Sequence, residues 1–179
     1  ILYNVLSPCY NKLVPIYKKV NKNFFKKWDS DMAYVTGFFA ADGYVTVNKR
    51  GGQFWCIQIT DGELLKQIRK IIKSNHKISV RLRRKVSEKT QYRLQIGSIE
   101  MCDDLRKLGF REKKTKNLIL PLVPEKYFPS FVRGYFDGDG NVWVGLIRNR
   151  KTPLPLLMTA FTSCSTTFLK GLKLKLNKV

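Results

Sequence analysis

The sequence predicts an α+β fold built from two related segments, and three observations carry that expectation. Apolar residues recur first at helical and then at alternating spacing, in a repeating order along the chain. One helix-and-turn segment occurs twice: an offset of 97 residues carries VTGFFAADGYV (35–45) onto VRGYFDGDGNV (132–142). In each copy a small residue sits four before another, Gly37 with Ala41 and Gly134 with Gly138, which places both on one helix face.

The elements follow in order. Residues 1–28 combine Pro8 and Pro15 with lysines and aromatics, and read as a basic arm that docks through Phe24, Phe25 and Trp28. Asp29 or Ser30 caps a helix that begins near Met32 and stops at Gly43. Over 44–50, Tyr44, Thr46, Asn48 and Arg50 point one way and Val45 and Val47 the other. Gly51 and Gly52 turn the chain into 53–60, where Trp55, Ile57 and Ile59 share a face opposite Phe54, Cys56, Gln58 and Thr60. Asp61 caps a helix over 61–75 with Leu64, Leu65, Ile68, Ile71 and Ile72 as its stripe. A second hairpin, 77–83 and 91–97, turns Ile78, Val80, Leu82, Tyr92, Leu94 and Ile96 to a core. A short helix at 100–110 ends at Gly109. The basic run 111–117 and the apolar run 118–124 then lead to the second copy. After it come a hairpin (141–147 and 156–164) and a helix at 166–177 striped by Phe168, Leu169, Leu172 and Leu176.

Composition narrows the function. Lys and Arg total 34 against 13 Asp and Glu, a net charge of +21 that repels itself in the free protein and calls for a polyanionic partner. An anionic membrane would want one amphipathic basic helix, whereas these charges spread along the whole chain. The outward strand faces are rich in Arg and Gln, whose long side chains suit base edges in the major groove, so the sheet is expected to form a saddle for double-stranded DNA. Arg81, Arg83, Gln91, Arg93 and Gln95 lead that surface. Tyr44, Thr46, Asn48, Arg50, Asn141 and Trp143 extend it, and Lys113, Lys114 and Lys116 are expected at phosphates. Four scattered cysteines and a single His76 do not make a zinc site and fit a reducing, intracellular compartment, either a prokaryotic cytoplasm or an organelle. The N-terminus lacks a signal-peptide layout, and no apolar run is long enough to cross a membrane.

The repeat carries the chemistry. Two helices with small faces can pack closely, which sets Asp42 and Asp139 side by side at the same end. Adjacent carboxylates repel, a divalent metal relieves that repulsion, and carboxylate-held Mg²⁺ is suited to phosphodiester hydrolysis. Asp137 faces Ala40 in the other copy, so it is expected to cap or to form a salt bridge instead.

VTGFFAADG and VRGYFDGDG resemble the signature of the LAGLIDADG homing endonucleases in their single-chain, two-motif form, and KKTKNLILPLVP before the second motif is also similar to that family. The resemblance covers roughly residue 24 onward. It implies a pseudo-symmetric tandem αββαββα fold whose two antiparallel sheets form a saddle over a long DNA site. The implied activity is Mg²⁺-dependent double-strand cleavage (Mn²⁺ substituting) by a monomer. By the same resemblance Asp42 and Asp139 are metal ligands and the carbonyls of Ala41 and Gly138 add to the coordination. Gln58 and its counterpart Thr162 lie near the scissile phosphates. A basic residue completes the family's site, but the matching position falls near Ile99, which is not basic. The expected organisation is an arm (1–28), a first half-domain (29–122) and a second half-domain (123–179). The 39 residues after Gly140 hold one hairpin and one helix, so a second hairpin and a last helix are expected to be missing. The expectation is therefore a fragment or a decayed gene, with little cleavage by this chain alone. A non-cleaving DNA-binding regulator and an RNA-splicing maturase on the same scaffold stand as alternatives.

Overall fold

Asp29 starts the first helix by accepting a hydrogen bond from the Met32 N–H at 2.7 Å, which satisfies a donor with no partner inside helix α1 (Ser30–Asp42). The structure, a computed structural model, describes residues 18–83, 85–112, 114–147, 152 and 154–178. Helix α1 is buried from Met32 to Ala40, nearly all round. That explains its unbroken apolar run, because a helix with neighbours on every side shows no polar stripe.

The chain leaves α1 at Gly43, whose N–H still bonds Phe39 O while its backbone is already extended. Strand β1 (Gly43–Val47) therefore begins on the residue after Asp42. Strand β2 (Gln53–Ile59) returns antiparallel through a turn in which Asn48 Oδ1 accepts from the N–H groups of Arg50 and Gly52. Gly51 takes φ 79 there, the region open to glycine. Asp61 caps α2 (Gly62–Ile71) through Glu63 and Leu64 N–H. Strands β3 (Ile78–Arg81) and β4 (Gln91–Gly97) complete a sheet of order β1-β2-β4-β3, and α3 (Ile99–Lys107) follows. The first half is thus αββαββα, in agreement with the sequence.

Below the sheet, Trp55 is fully buried, with the rings of Phe25 and Phe39 edge-on to it at 5.5 and 6.1 Å. Leu65, Ile68, Ile72, Leu94, Ile96, Met101 and Leu105 fill the same core. Phe24 and Phe25 dock the segment before α1 into this core, with Trp28 half-buried beside it. Residues 1–17 lie outside the described residues.

The second copy repeats the opening. Helix α4 (Phe128–Asp139) ends at Gly140, whose N–H bonds Phe136 O, and β5 (Gly140–Ile147) starts at once. Strand β6 (Leu154–Phe161) pairs with it antiparallel, and Ser165 caps α5 (Thr166–Leu176). Tyr135 packs on Phe161 and Phe168 at 6.3 and 4.6 Å, forming a smaller core. Among the described residues this second sheet has two strands. Val142 is 54% exposed where its counterpart Val45 is 4% exposed, because among the described residues α5 stands for α2 but β3, β4 and α3 have no equivalent there.

Three sequence expectations need correction. Helix α2 stops at Ile71 rather than Asn75, since Lys73 adopts φ 51 and breaks the helical run. Val80 and Leu82 do not face the core: they are 54% and 73% exposed, because β3 is a four-residue edge strand that outruns the core beneath it. Strand β1 ends at Val47, so Asn48 and Arg50 lie in the turn and not on the strand face, and the Asn48 carbonyl oxygen is occupied by that turn.

The two motif helices touch backbone to backbone. A Cβ added to Gly37 would overlap the carbonyl oxygen of Phe131, and one added to Gly134 would overlap that of Tyr34. These overlaps involve main chain, which cannot swing aside. Gly37→Ala and Gly134→Ala are each expected to destabilise the protein by on the order of 3 kcal/mol in urea unfolding. A cost under about 0.5 kcal/mol would show that the helices separate freely.

Candidate active site

Close helix contact determines where the two motif carboxylates lie. Asp42 and Asp139 are the last residues of α1 and α4, at the same end of the crossing. Gly138 meets Ala41 there, and a Cβ on Gly138 would stand 3.2 Å from Asp42 Oδ2. Glycine at 138 therefore leaves the space beside the Asp42 carboxylate open. Of the four small residues, Gly37 and Gly134 make the backbone approach and Ala41 and Gly138 line the carboxylate end.

The electrostatics fit a charge-dense, partly dehydrated site. Burial pushes the Asp42 carboxyl above its ordinary pKa, and the nearby Asp139 charge pushes it further. Burial raises Asp139 as well. Lys114 opposes both shifts. It lies in a 3₁₀ turn, Lys114–Lys116, and is only 8% exposed. Its Nζ donates to Ala40 O at 2.5 Å and lies 3.4 Å from Ala41 O. Burial pulls its amine down to about 8, and the two aspartates pull the other way.

Of the lysines expected at phosphates, Lys114 is not an exposed side chain: it is turned inward to the end of α1, where its Nζ bonds Ala40 O. Sequence reasoning sought the site's basic residue near Ile99, which is 59% exposed. The available signal was the basic run itself, but periodicity does not say which lysine of such a run turns inward. Lys113 lies outside the described residues, and Lys116 is exposed.

The remaining site residues surround this centre. Gly43 pairs with Ile57, which sets Gln58 next to the start of β1, and Gln58 Nε2 donates to Gln91 Oε1. Thr162 N–H donates to Asp139 O at 3.2 Å, and Tyr135 Oη donates to Thr162 O at 2.6 Å. Across the outer sheet face the register aligns Tyr44, Cys56 and Gln95 in one row, Gln58, Arg93 and Ser79 in the next, and Gln91 with Arg81 beyond. Tyr44, Arg81 and Arg93 are exposed, and Cys56 is fully buried in its row. Thr46 is half-buried and pairs with Phe54. Arg83 lies past the end of β3. Asn141 and Trp143 are exposed on β5. Among the described residues Asp137 caps no helix and forms no salt bridge. It accepts a hydrogen bond from Tyr34 Oη at 2.9 Å, joining α4 to α1. Burial and that bond push the Tyr34 phenol up to about 12.

No described group of three or more His, Cys, Asp or Glu side chains lies together. The donor set at the crossing is two carboxylates with the main-chain carbonyls beside them. Hard oxygen donors of this kind suit Mg²⁺ or Ca²⁺ and not zinc.

Burial of the Lys114 ammonium has a measurable consequence. Below pH 8 the amine is charged in both folded and unfolded chains, and the full burial penalty applies. Between pH 8 and 10.5 the folded state releases its proton first, so stability rises with pH. Lys114→Met is therefore expected to stabilise the metal-free protein at pH 7 by about 1–2 kcal/mol, after the lost bond to Ala40. The gain should shrink toward zero by about pH 10.5, read by urea unfolding across pH. A gain independent of pH would assign it to packing alone.

Residues 29–109 match the family model of the LAGLIDADG-like domain. No curated protein matches the chain. Among solved structures, the chain is similar to a lysine-to-alanine mutant of I-SmaMI at 15% identity and TM-score 0.49, covering 84% of this chain and 73% of that one. It is also similar to the I-LtrWI LAGLIDADG homing endonuclease bound to target DNA, at 14% identity and TM-score 0.46, covering 78% and 66%. A third is the LAGLIDADG meganuclease I-AabMI bound to uncleaved DNA, at 16% identity and TM-score 0.45, covering 74% and 66%. The family match and the two motifs together identify residues 29–109 as a LAGLIDADG-like domain, followed by a second, shorter copy of its opening helix and hairpin.

Proposed function

We propose that this chain binds double-stranded DNA across its sheet and belongs to a site-specific, metal-dependent endonuclease of the homing type. The observation that carries the reading is the meeting of Asp42 and Asp139, with Lys114, at the end of a helix crossing that only glycine allows. A charge of +21 supports a polyanionic partner, and the LAGLIDADG-like match of residues 29–109 supports a nuclease. The working division is a basic arm (1–28), a first half-domain (29–122) and a second (123–179).

In this reading Asp42 and Asp139 hold Mg²⁺, with the carbonyls of Ala41 and Gly138 beside them. Such an ion would supply Lewis-acid polarisation of the phosphate and a more acidic water. The protein supplies the rest. Because the two carboxylates belong to related halves, each faces one strand of a duplex laid across the helix ends, which suits a double-strand break. Gln58 and Thr162 stand next to the two motif ends and orient the phosphates. Lys114 brings positive charge against charge that develops on the phosphate, in a site where burial strengthens it. Arg81, Arg93, Gln91 and Gln95 read base edges, whereas Lys116 meets the backbone.

The test starts with selection from a randomised duplex library in Ca²⁺, followed by transfer to Mg²⁺. The expected result is enrichment of one long sequence with little cutting by this chain alone, and, in a chain given a complete second half, cutting in Mg²⁺ that Asp42→Asn and Asp139→Asn abolish while still binding. Binding without cutting by that completed chain would instead mark a DNA-binding regulator, and preference for structured RNA would mark a maturase. Within the bound sequence, Arg93→Ala should relax preference at one position by roughly tenfold. Lys116→Ala should weaken all sequences alike and lower the salt slope by about one. Equal effects of both on every sequence would refute the division between reading and positioning.

A further inference from the structure

Lys114 reaches the carbonyls of Ala40 and Ala41, beside the two carboxylates, from a strap whose described residues, 110–112 and 114–118, run from the first half to the second and are tied down at both ends. At the far end Ser165 Oγ donates to Leu118 O at 2.6 Å, tying it to the cap of α5. At the near end Phe110 is fully buried, edge-on to Phe39 at 5.4 Å. Two residues later Glu112 meets Arg106 on the last turn of α3. Arg106 Nη2 and Nε donate to Glu112 Oε1 at 2.6 and 3.2 Å. The same guanidinium donates through Nη1 to Gln53 Oε1 at 2.7 Å, at the start of β2, and to Asp103 Oδ1 at 2.7 Å. The Arg106 side chain is 24% exposed and that of Glu112 42%, so the guanidinium is partly shielded and multiply bonded while its Glu112 partner stands at the surface.

We propose that the Arg106–Glu112 pair is a positioning device: it fixes the strap so that Lys114, two residues on, is held at the Asp42–Asp139 centre. This rests on reading that centre as the metal-dependent site. The physical argument is one of constraint. A buried ammonium is held in place against its burial penalty only if the backbone carrying it cannot retreat. Gly109, at φ 96, and the bond from Phe110 N–H to Leu105 O at 3.0 Å close the turn out of α3, and beyond Phe110 the strap still needs a direction. The planar guanidinium supplies that direction, because it is fixed to the helix through Asp103 and to the sheet through Gln53.

The experiment compares the full chain with its Glu112→Gln, Glu112→Asp and Arg106→Met variants. Reductive methylation with formaldehyde and cyanoborohydride is followed lysine by lysine by mass spectrometry. The expected result is that Lys114 reacts at least about fivefold faster in Glu112→Gln and Arg106→Met, that Glu112→Asp largely restores protection, and that Lys66 and Lys107 do not change. No selective change at Lys114, or an equal rise at every lysine, would overturn the proposal. A second arm measures Mn²⁺ binding by calorimetry. Lys114→Met removes a positive charge beside the carboxylates and should tighten Mn²⁺. Glu112→Gln should tighten it in the parent background but not in the Lys114→Met background. An equal effect in both backgrounds would show that Glu112 acts without Lys114 and would also sink the idea. The methylation arm needs neither metal nor DNA. Failure of Mn²⁺ to bind would count against the metal-dependent site, and the methylation result alone would then decide the positioning role.

Discussion

Two helices that touch along their backbones organise this molecule. Gly37 and Gly134 each leave space for a carbonyl of the opposite helix, and the exchange is reciprocal: Gly37 meets Phe131, and Gly134 meets Tyr34. Contact at this distance fixes separation, register and angle together, because there is no side chain to act as a compliant spacer. Each helix then hands its last residue, an aspartate, directly to a glycine that begins a strand. The position of each carboxylate is therefore determined by the crossing above it and the sheet below it, not by a loop. Tyr34 and Asp137 add a single asymmetric hydrogen bond across the same interface, which distinguishes the halves without disturbing the glycine contacts.

That geometry creates an electrostatic difficulty that the rest of the site answers. Burial already raises both carboxyls, and proximity adds to the strain at Asp42. An interior lysine partly compensates, yet its own burial lowers its hold on a proton. Three groups, each in an unfavourable setting for its charge, therefore share one place. Under the proposed function a divalent cation would relieve that setting, and its binding would stabilise the folded state by mass action. The same centre contributes little to the stability of the metal-free fold, which comes instead from the apolar cluster around Trp55, Phe39 and Leu94.

Much of this was legible in the sequence, for a physical reason in each case. The repeated small residues and the constant offset point to a symmetric helix contact, because only that arrangement needs small residues at matching places. The alternation over Leu94 and Ile96 and the cap at Asp61 are local signals, and they survive in the fold. The failures are equally physical. Val80 and Leu82 alternate correctly, but alternation reports a face and not whether anything lies beneath it, and an edge strand can outrun its core. Lys73 at positive φ ends α2 where no glycine marks the place. Lys114 was misplaced because its partners are more than 70 residues away, and a lysine in a basic run carries no sign of inward direction. Asp137, expected to cap or to form a salt bridge, instead accepts from a neutral phenol on the other helix, which no charge pattern marks.

The two halves differ in how firmly they hold their aspartates, and this bears on how the centre works. Asp42 is backed by a four-stranded sheet with α2 and α3 packed around it. Asp139 is backed by a two-stranded sheet, with Val144 and Leu157 74% and 68% exposed among the described residues. Its position therefore depends less on its own sheet than on three tethers. Tyr135 Oη and Asp139 O hold Thr162 from both sides, Ser165 holds the strap at Leu118, and the glycine crossing ties α4 to the stronger half. The strap serves both halves at once, since it starts at Arg106 on the first and ends at Ser165 on the second. It passes Lys114 between them at the point where the carboxylates meet. Order at Asp139 is thus borrowed through the helix crossing and the strap, so a lesion at Gly37 or Glu112, both outside the second half, would be felt there.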